Sequence, residues 1–365
     1  MNIAIIGAGP IGSYTASLLA RSGHQVHLFD QKTQKNIGRP IQCTGIFPPE
    51  IRKYVPLHKD FHTNTTQHLQ IISPFNHQIT LHKTEYIFNR TKFDQHLLQQ
   101  AIQNGTHFHP QHQLLEINHN THHQHNLIFK HKNTRKIFSP DIIIGADGPL
   151  SLVYQYLNPK KKKSFYYGLQ ATIKGQFQPD TYQTFFHNQI SPHSFAWLVP
   201  ESKTRARLGL AVKNHPSEHF QQLLQHLNIT DSQLLQKQAG IIPLFNPKII
   251  FHKNNLFLLG DAASHIKNTT FGGITPALQQ ARHLVNIINQ RKPYQPQLKS
   301  LQHHHQIRQI LNRFTNQDYH CLIKLLNKPQ NKHLLQTHSR ENPQKLLIKL
   351  ALKNPSLLKF IKYLF

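Results

Sequence analysis

The apolar run Ile3–Ile6 is short and unbroken, the pattern of a strand covered on both faces, and it ends at Gly7-Ala8-Gly9-Pro10-Ile11-Gly12 before a helix-like stretch from Ser13 to Arg21. Gln25–Phe29 restores a strand pattern through Val26, Leu28 and Phe29 and stops at Asp30. Strand, glycine turn, helix and strand in that order predict a βαβ unit. Two later apolar strands, Ile142–Ile144 and Leu256–Leu259, each run into a turn carrying Gly and Asp, so a nucleotide-binding fold is expected from separated segments.

Between those segments the period changes. Leu69–Ile72, Gln78–Leu81 and Tyr86–Phe88 read as short strands, with Pro74-Phe75-Asn76 as a turn, and Tyr166–Ile173, Thr181–Phe186, Phe195–Val199 and Ala206–Val212 read as more. The fold expected is α/β: a Rossmann-like domain from residues 1–66, 90–163 and 240–292, an inserted antiparallel β-rich substrate domain from 67–89 and 164–239, and a C-terminal helical region, 293–365. In the last region Asn354 suits a helix cap with Pro355 behind it. Leu357, Phe360, Ile361, Leu364 and Phe365 then line one apolar stripe. That stripe reads as core packing, while Lys345, Lys349 and Lys353, at i, i+4 spacing beside Leu347 and Leu350, also suit docking on anionic lipid.

Composition narrows the partners. Lys and Arg number 42 against 15 Asp and Glu, a net charge of +27 with the 30 His neutral, so anions of some kind are drawn to the surface. With 38% apolar residues and 22 Phe the chain has ample core material and is not a disordered basic tail. RNA-binding aromatic signatures and paired Cys/His finger spacings are missing, so nucleic acid is not expected. The two cysteines, Cys43 and Cys321, make neither a disulfide framework nor a cysteine zinc site, and the His runs, His303-His304-His305 among them, lack the carboxylates of a metal site. No apolar run approaches the roughly 20 residues of a membrane span, and no secretory leader pattern is seen. A cytoplasmic protein, with a possible peripheral role at the inner membrane face, is expected.

The chemistry is carried by a few turns. A dinucleotide needs its pyrophosphate close to backbone N–H groups at a helix start, and side chains at Gly7, Gly9 or Gly12 would obstruct that approach or the helix packing. Asp30, at the end of the next strand, has the reach to accept hydrogen bonds from the adenosine ribose. Late in the chain, Leu259-Gly260-Asp261-Ala262-Ala263 follows a strand and Phe271-Gly272-Gly273-Ile274 precedes a helical run. This second acid beside a second helix start suits FAD: Asp261 on the ribityl chain, and the backbone at Gly273 and Ile274 facing the pyrimidine edge of the flavin.

Taken together these segments resemble the geranylgeranyl reductase family of flavoproteins, within the wider group sharing the aromatic-hydroxylase type of FAD fold. The glycine turn, Gly145-Ala146-Asp147-Gly148-Pro149-Leu150-Ser151 and the Gly260–Ile274 segment mark the wider group. Pro40-Ile41-Gln42-Cys43-Thr44-Gly45, Asn89-Arg90-Thr91-Lys92-Phe93-Asp94 and Phe195-Ala196-Trp197-Leu198-Val199-Pro200 complete the match, those around Cys43 and Trp197 pointing to the reductases. The resemblance implies reduction of isolated C=C bonds in prenyl chains, with Gly12, Asp30, Cys43, Gly45, Arg90, Asp261, Gly273 and Ile274 on FAD, Asp147 in a second nucleotide-facing motif, and Phe195 and Trp197 lining a channel for the apolar chain. Where that family has Pro and Gly in the last loop, this chain has Asn268 and Phe271, which places a bulky ring beside the implied channel.

Individual roles stay open at this level. Cys43 reads as a thiol that helps donate a proton or shapes the site, or as a small packing residue. Arg90 reads as a flavin-phosphate partner or as the brace of the turn entering the next helix, and Trp197 as a channel wall or core. A flavin monooxygenase is the alternative enzyme, and a basic binding module on a flavin scaffold is the non-enzymatic one. A second Gly-x-Gly-x-x-Gly unit and an iron–sulfur cysteine set are both missing from the sequence, so electrons are expected from a transient NAD(P)H or a ferredoxin-like carrier.

Overall fold

The computed structural model describes residues 1–119, 125–338 and 343–363. They divide into two compact units: Met1–Pro40, Arg90–Ser164 and Pro243–Leu298 form one, and Ile41–Asn89, Phe165–Ile242 and Lys299–Phe365 the other.

The first unit is built on a six-stranded sheet in the order His252–Lys253, Leu256–Leu258, Ile142–Gly145, Asn2–Ile6, Gln25–Phe29 and His107–His109. Its pairings are parallel except at the His252–Lys253 edge. Parallel strands are covered on both faces, which is why Ile3, Ala4 and Ile5 are wholly buried. The helix Pro10–Arg21 starts with Pro at its first position, where the missing N–H costs nothing, and buries Ile11, Tyr14, Ala16 and Leu19. The helices Arg90–Gln103 and Ile274–Gln290 pack beside that helix and bury Phe93, Leu97 and Leu98, and Leu278, Leu284 and Val285. A separate three-stranded meander, His112–His119, His125–His131 and Thr134–Phe138, belongs to the same unit.

The segments 107–119 and 125–138 are rich in histidine, and in the fold His107 and His109 serve as flat aromatic rings: His27 stacks on His107 and His109 at centroid distances of 5.1 and 5.2 Å, and His109 on Phe29 at 4.5 Å. Burial, with like-charge neighbours adding to it, holds His109 down to about 4, so its ring packs as a neutral group.

The second unit holds an eight-stranded sheet in the order Leu234–Pro243, Phe165–Lys174, Arg205–Val212, Ala196–Pro200, Thr181–Phe185, His62–Ile72, Gln78–Phe88 and Ile46–Phe47. It is antiparallel-rich as expected, with one parallel pairing between Thr181–Phe185 and His68–Ile72. The helix Pro216–His226 lays Phe220, Leu223 and Leu224 on Ala171, Ile173, Leu208, Leu210 and Val212. Gln78–Leu81 and Tyr86–Phe88, expected as separate strands, are one strand of 11 residues, because polar His82 and Glu85 keep the ladder through their pairs His68 and Thr66, on either side of a register shift.

The unit boundaries differ from the expected ones. Residues 41–66 cluster with the second unit, since Ile46–Phe47 pairs with Tyr86 and Ile87 and the strand from His62 pairs with the strand ending at Phe88. The C-terminal helices, Lys299–Leu311, Asn316–Leu326, Pro329–Thr337 and Pro343–Lys353, also cluster there, Ile323 packing on Ile79 and Leu81. Pro355 opens a 3₁₀ turn running to Tyr363, and Phe360 and Leu357 pack with Phe314 and Tyr319. The rest of the expected stripe, Leu364, Phe365 and the side chain of Ile361, lies outside the described residues.

Candidate functional site

In the first unit the glycine turn sits where the sheet meets the helix Pro10–Arg21. Gly7 has φ +101°, and a Cβ there would fall 2.3 Å from the carbonyl oxygen of Ala146; at Gly12 it would fall 1.9 Å from that of Gly7. These two glycines are demanded by packing. Gly9 is different: a Cβ there would meet nothing within 4 Å. The open space lies beside the first turn of the helix, whose N–H groups lack intrahelical acceptors and carry the positive end of the helix dipole, the requirements of a pyrophosphate cradle.

Asp30 braces this turn. Its Oδ2 accepts from the N–H of Ala8 at 2.7 Å and its Oδ1 from the N–H of Lys32 at 2.8 Å. Each carboxylate oxygen retains a lone pair, so ribose hydroxyls still have acceptors. Asp147 Oδ2 accepts from the N–H of Leu152 at 2.8 Å at the start of the helix Leu152–Leu157, which Ser151 caps, while its enclosed Oδ1 is unsatisfied. Burial pushes its carboxyl up despite those bonds. Arg90 makes a two-pronged contact with Asp94, Nε and Nη2 each donating at 3.1 Å, which supports its turn-bracing reading.

The late loop comes to the same unit. Asp261 Oδ1 lies 3.5 Å from where a Cβ on Gly273 would stand, so the acid and the start of the helix Ile274–Gln290 are neighbours. Burial raises the Asp261 carboxyl, with Lys163 and Arg90 opposing. Of the expected departures, Asn268 is buried and clasps Phe245 through both backbone groups, at 2.8 and 3.0 Å. Phe271 adopts φ +57°, a left-handed conformation that explains why a glycine is the simpler choice at that point.

Two residues here escaped the sequence reading. Lys163 ends the charge run Lys160-Lys161-Lys162-Lys163, yet its Nζ donates to the carbonyls of Pro149 at 3.1 Å and Asp261 at 3.0 Å, tying both acid-bearing turns together. Burial holds it down to about 8, with Asp147 and Asp261 pulling the other way. His265 is wholly buried, its two ring nitrogens have no partner, and burial holds it down to about 3. No periodicity or spacing marks either residue; only the fold turns them inward.

The second unit gathers the reductase-like segments. Around Cys43 the backbone is held on both sides. Gly240 leaves room for the carbonyl of Gln42, which a Cβ would approach to 2.6 Å, and the carbonyl of Gly45 accepts from the N–H of Phe88 at 2.8 Å. The carbonyl of Thr44 takes a short contact from Nη1 of Arg207, which also donates to the carbonyl of Phe88 at 3.0 Å and pairs with Glu201. Sγ of half-buried Cys43 accepts from the N–H of Gly45 at 3.4 Å. The Thr44 hydroxyl donates to Oε1 of buried Gln170 at 3.0 Å, and the indole N–H of Trp197 reaches that same oxygen at 3.3 Å. Gln170 passes its own N–H to Gln238 at 2.6 Å. Phe195 meets Trp197 edge to face with centroids 6.1 Å apart.

Gly7, Gly9, Gly12, Asp30, Arg90, Asp147, Asp261, Phe271, Gly273 and Ile274 thus fall in the first unit, and Cys43, Gly45, Phe195 and Trp197 in the second. Arg207, Glu201 and Gln170 were missed because each lies mid-strand or at a strand end with no motif around it.

An NAD(P)-binding Rossmann-like domain model matches residues 5–37. The chain is similar to the digeranylgeranylglycerophospholipid reductase of Methanocaldococcus jannaschii, 21% identical with 99% of this chain and 97% of the relative covered. Among solved structures it resembles a geranylgeranyl bacteriochlorophyll reductase-like protein from Thermoplasma acidophilum, with a TM-score of 0.82 at 20% identity over 100% of this chain and 99% of that one. It also resembles the flavin-dependent halogenase CmlS, with a TM-score of 0.70 at 15% identity over 99% and 77%. The resemblance to geranylgeranyl reductases drawn from the motifs is borne out, as is the mixed fold.

Proposed function

We propose that this protein is an FAD-dependent reductase that saturates C=C bonds in the prenyl chains of ether lipids or prenyl diphosphates. The observation that carries the reading is the joining of Thr44, next to Cys43, and Trp197 at one buried amide, Gln170, since these two segments separate the reductases from other flavoproteins of the same fold. The cradle at Gly9, the remaining lone pairs of Asp30 and the Asp261–Gly273 pairing fit FAD.

When bound and reduced, FAD supplies the hydride. The chain's own part is positioning and electrostatics. The helix start at Gly9 holds the pyrophosphate, Asp30 the ribose, and Asp261 with the backbone of Gly273 and Ile274 the ring half. Lys163 fixes the spacing of the two acid turns through carbonyl contacts. The rings of Phe195 and Trp197 offer an apolar wall to a prenyl chain, and the Cys43 thiol holds a proton at Sγ suited to completing the reduction. Electrons enter from NAD(P)H or a ferredoxin-like carrier. The net charge of +27 draws a diphosphate or phospholipid headgroup, and the work is done at a membrane surface; no described helix is long and apolar enough to cross one.

The test is anaerobic incubation of FAD-loaded, dithionite-reduced protein with unsaturated prenyl lipids, followed by mass spectrometry. A gain of about 2 mass units per double bond is expected. Unchanged lipid, with rapid reoxidation by oxygen and an oxygenated product from an aromatic acceptor, would replace this reading by the monooxygenase one.

A further inference from the structure

We propose that the outward face of the helix Pro343–Lys353 docks this protein on an anionic lipid bilayer. The helix packs on the helices Lys299–Leu311 and Pro329–Thr337, burying Pro343 and Leu350. At about 100° per residue, the strip opposite Leu350 is occupied by Ile348 and Leu352, one turn apart. A helix on the rim of a water-soluble protein ordinarily shows polar residues there. Here Ile348 is 52% and Leu352 77% exposed, and Leu347 adds a third exposed apolar side chain at 46%.

Lysines flank this ridge. Lys345, Lys349 and Lys353 follow one another at i, i+4 along the strip beside it, and all three are exposed. Lys349 is steadied by His338, its Nζ 3.0 Å from Nε2, and Gln330 holds the carbonyl of Lys353 at 3.2 Å, so the C-terminal turn is anchored from behind. Residues 343–363 contain five lysines and not one acid. An apolar ridge beside a cationic strip matches an interface where acyl chains lie just below negative headgroups, and no carboxylate on the helix opposes it. The lysine stems reach along the apolar surface and carry their charge to the headgroups. A second copy of the chain would have to bring an acidic counterpart, and only 15 acids are spread through 365 residues. The inference rests on the reductase reading only for the choice of a bilayer over another anionic surface.

The test is co-sedimentation of the full chain with saturated phosphatidylglycerol/phosphatidylcholine vesicles and with phosphatidylcholine alone, at low and high salt. Binding to the anionic vesicles that weakens with salt is expected. Lys345→Gln/Lys349→Gln/Lys353→Gln should lower it roughly a hundredfold, at about fivefold per lysine. Ile348→Asn/Leu352→Asn should lower it at least about tenfold with every lysine kept. Lys132→Gln/Lys160→Gln/Lys162→Gln, which removes the same charge from exposed sites in the first unit, should change it by less than about threefold. Circular dichroism confirms that each variant is folded, and all positions are exposed, so loss of binding is read on folded protein. Absence of binding, equal loss in the control, indifference to the Ile348/Leu352 change, or self-association abolished by that change would each overturn the proposal. The vesicles carry no double bonds, so docking fails or succeeds independently of hydride transfer to detergent-dispersed prenyl lipid, which tests the reductase reading alone.

Discussion

Arg207 is a residue whose removal the fold of the second unit should tolerate poorly. Its side chain is 5% exposed and that of its partner Glu201 16%. Nε donates to Glu201 at 2.8 Å, and Nη1 serves the carbonyls of Thr44 and Phe88. Arg207→Met keeps the stem and deletes the charge, leaving a mostly buried carboxylate with only exposed Arg205, 3.9 Å away, as company. Breaking one side of a buried pair costs about 3–5 kcal/mol. Two carbonyls losing a donor fall within that range rather than on top of it, since water reaches part of the turn. Glu201→Leu in the same background removes the stranded charge, so the double variant should recover at least about 2 kcal/mol of the loss. The assay is urea unfolding followed by the emission of Trp197, the one tryptophan in the chain and a member of the same unit. In a Cys321→Ser background, Cys43 should also react faster with a thiol reagent once the Thr44 carbonyl is released. A cost below about 1 kcal/mol for Arg207→Met, or additive single variants, would refute the claim that this buried pair holds the Cys43 turn.

Gln170→Leu strands the Trp197 indole N–H, the Thr44 hydroxyl and Oε1 of Gln238 at once; a loss of about 2–4 kcal/mol and a shifted Trp197 emission maximum are expected in the same assay. Gly9→Ala should fold and lose FAD affinity by tenfold or more in a titration of apoprotein, whereas Gly12→Ala should fail to fold because its Cβ has no space. His265 is held near 3 while an unfolded histidine titrates near 6.5, so as pH falls through that window the unfolded chain takes up a proton the folded one refuses. Stability should therefore drop toward acid by up to about 1.4 kcal/mol per pH unit from this group. His265→Leu should flatten that slope by one proton in denaturant titrations between pH 6.5 and 4, at little cost at pH 7 because neither ring nitrogen has a partner.

The parts of the fold that were legible in the sequence are those where one residue type is enforced by its immediate surroundings. Gly7 and Gly12 are forced by carbonyls within 2.3 Å of an added Cβ, and Ile3–Ile6 by cover on both faces, so they stand out of any reading of the chain. The Cys43 and Trp197 segments were found by motif and proved to share a neighbour that no motif contains. Gln170, Arg207, Lys163 and His265 were invisible for a common physical reason. Each is a polar residue whose partners, or lack of them, come from segments far away in sequence: Gln170 lies 126 residues from Thr44, Arg207 163 from the same residue, and Lys163 98 from Asp261. Local pattern records only what neighbours along the chain require. The polar groups that hold a site together answer to neighbours in space, and a strand with one buried amide reads like any other strand. The histidine-rich stretch shows the converse, where burial strips a residue of the charge by which the pattern classed it and leaves a ring that packs like Phe. A His109→Phe variant should therefore fold with the sheet intact and resist acid better than the natural chain, and loss of the fold would show that this ring holds it through its hydrogen bond, that between Nδ1 of His27 and Nε2 of His109 at 3.0 Å, instead of through packing.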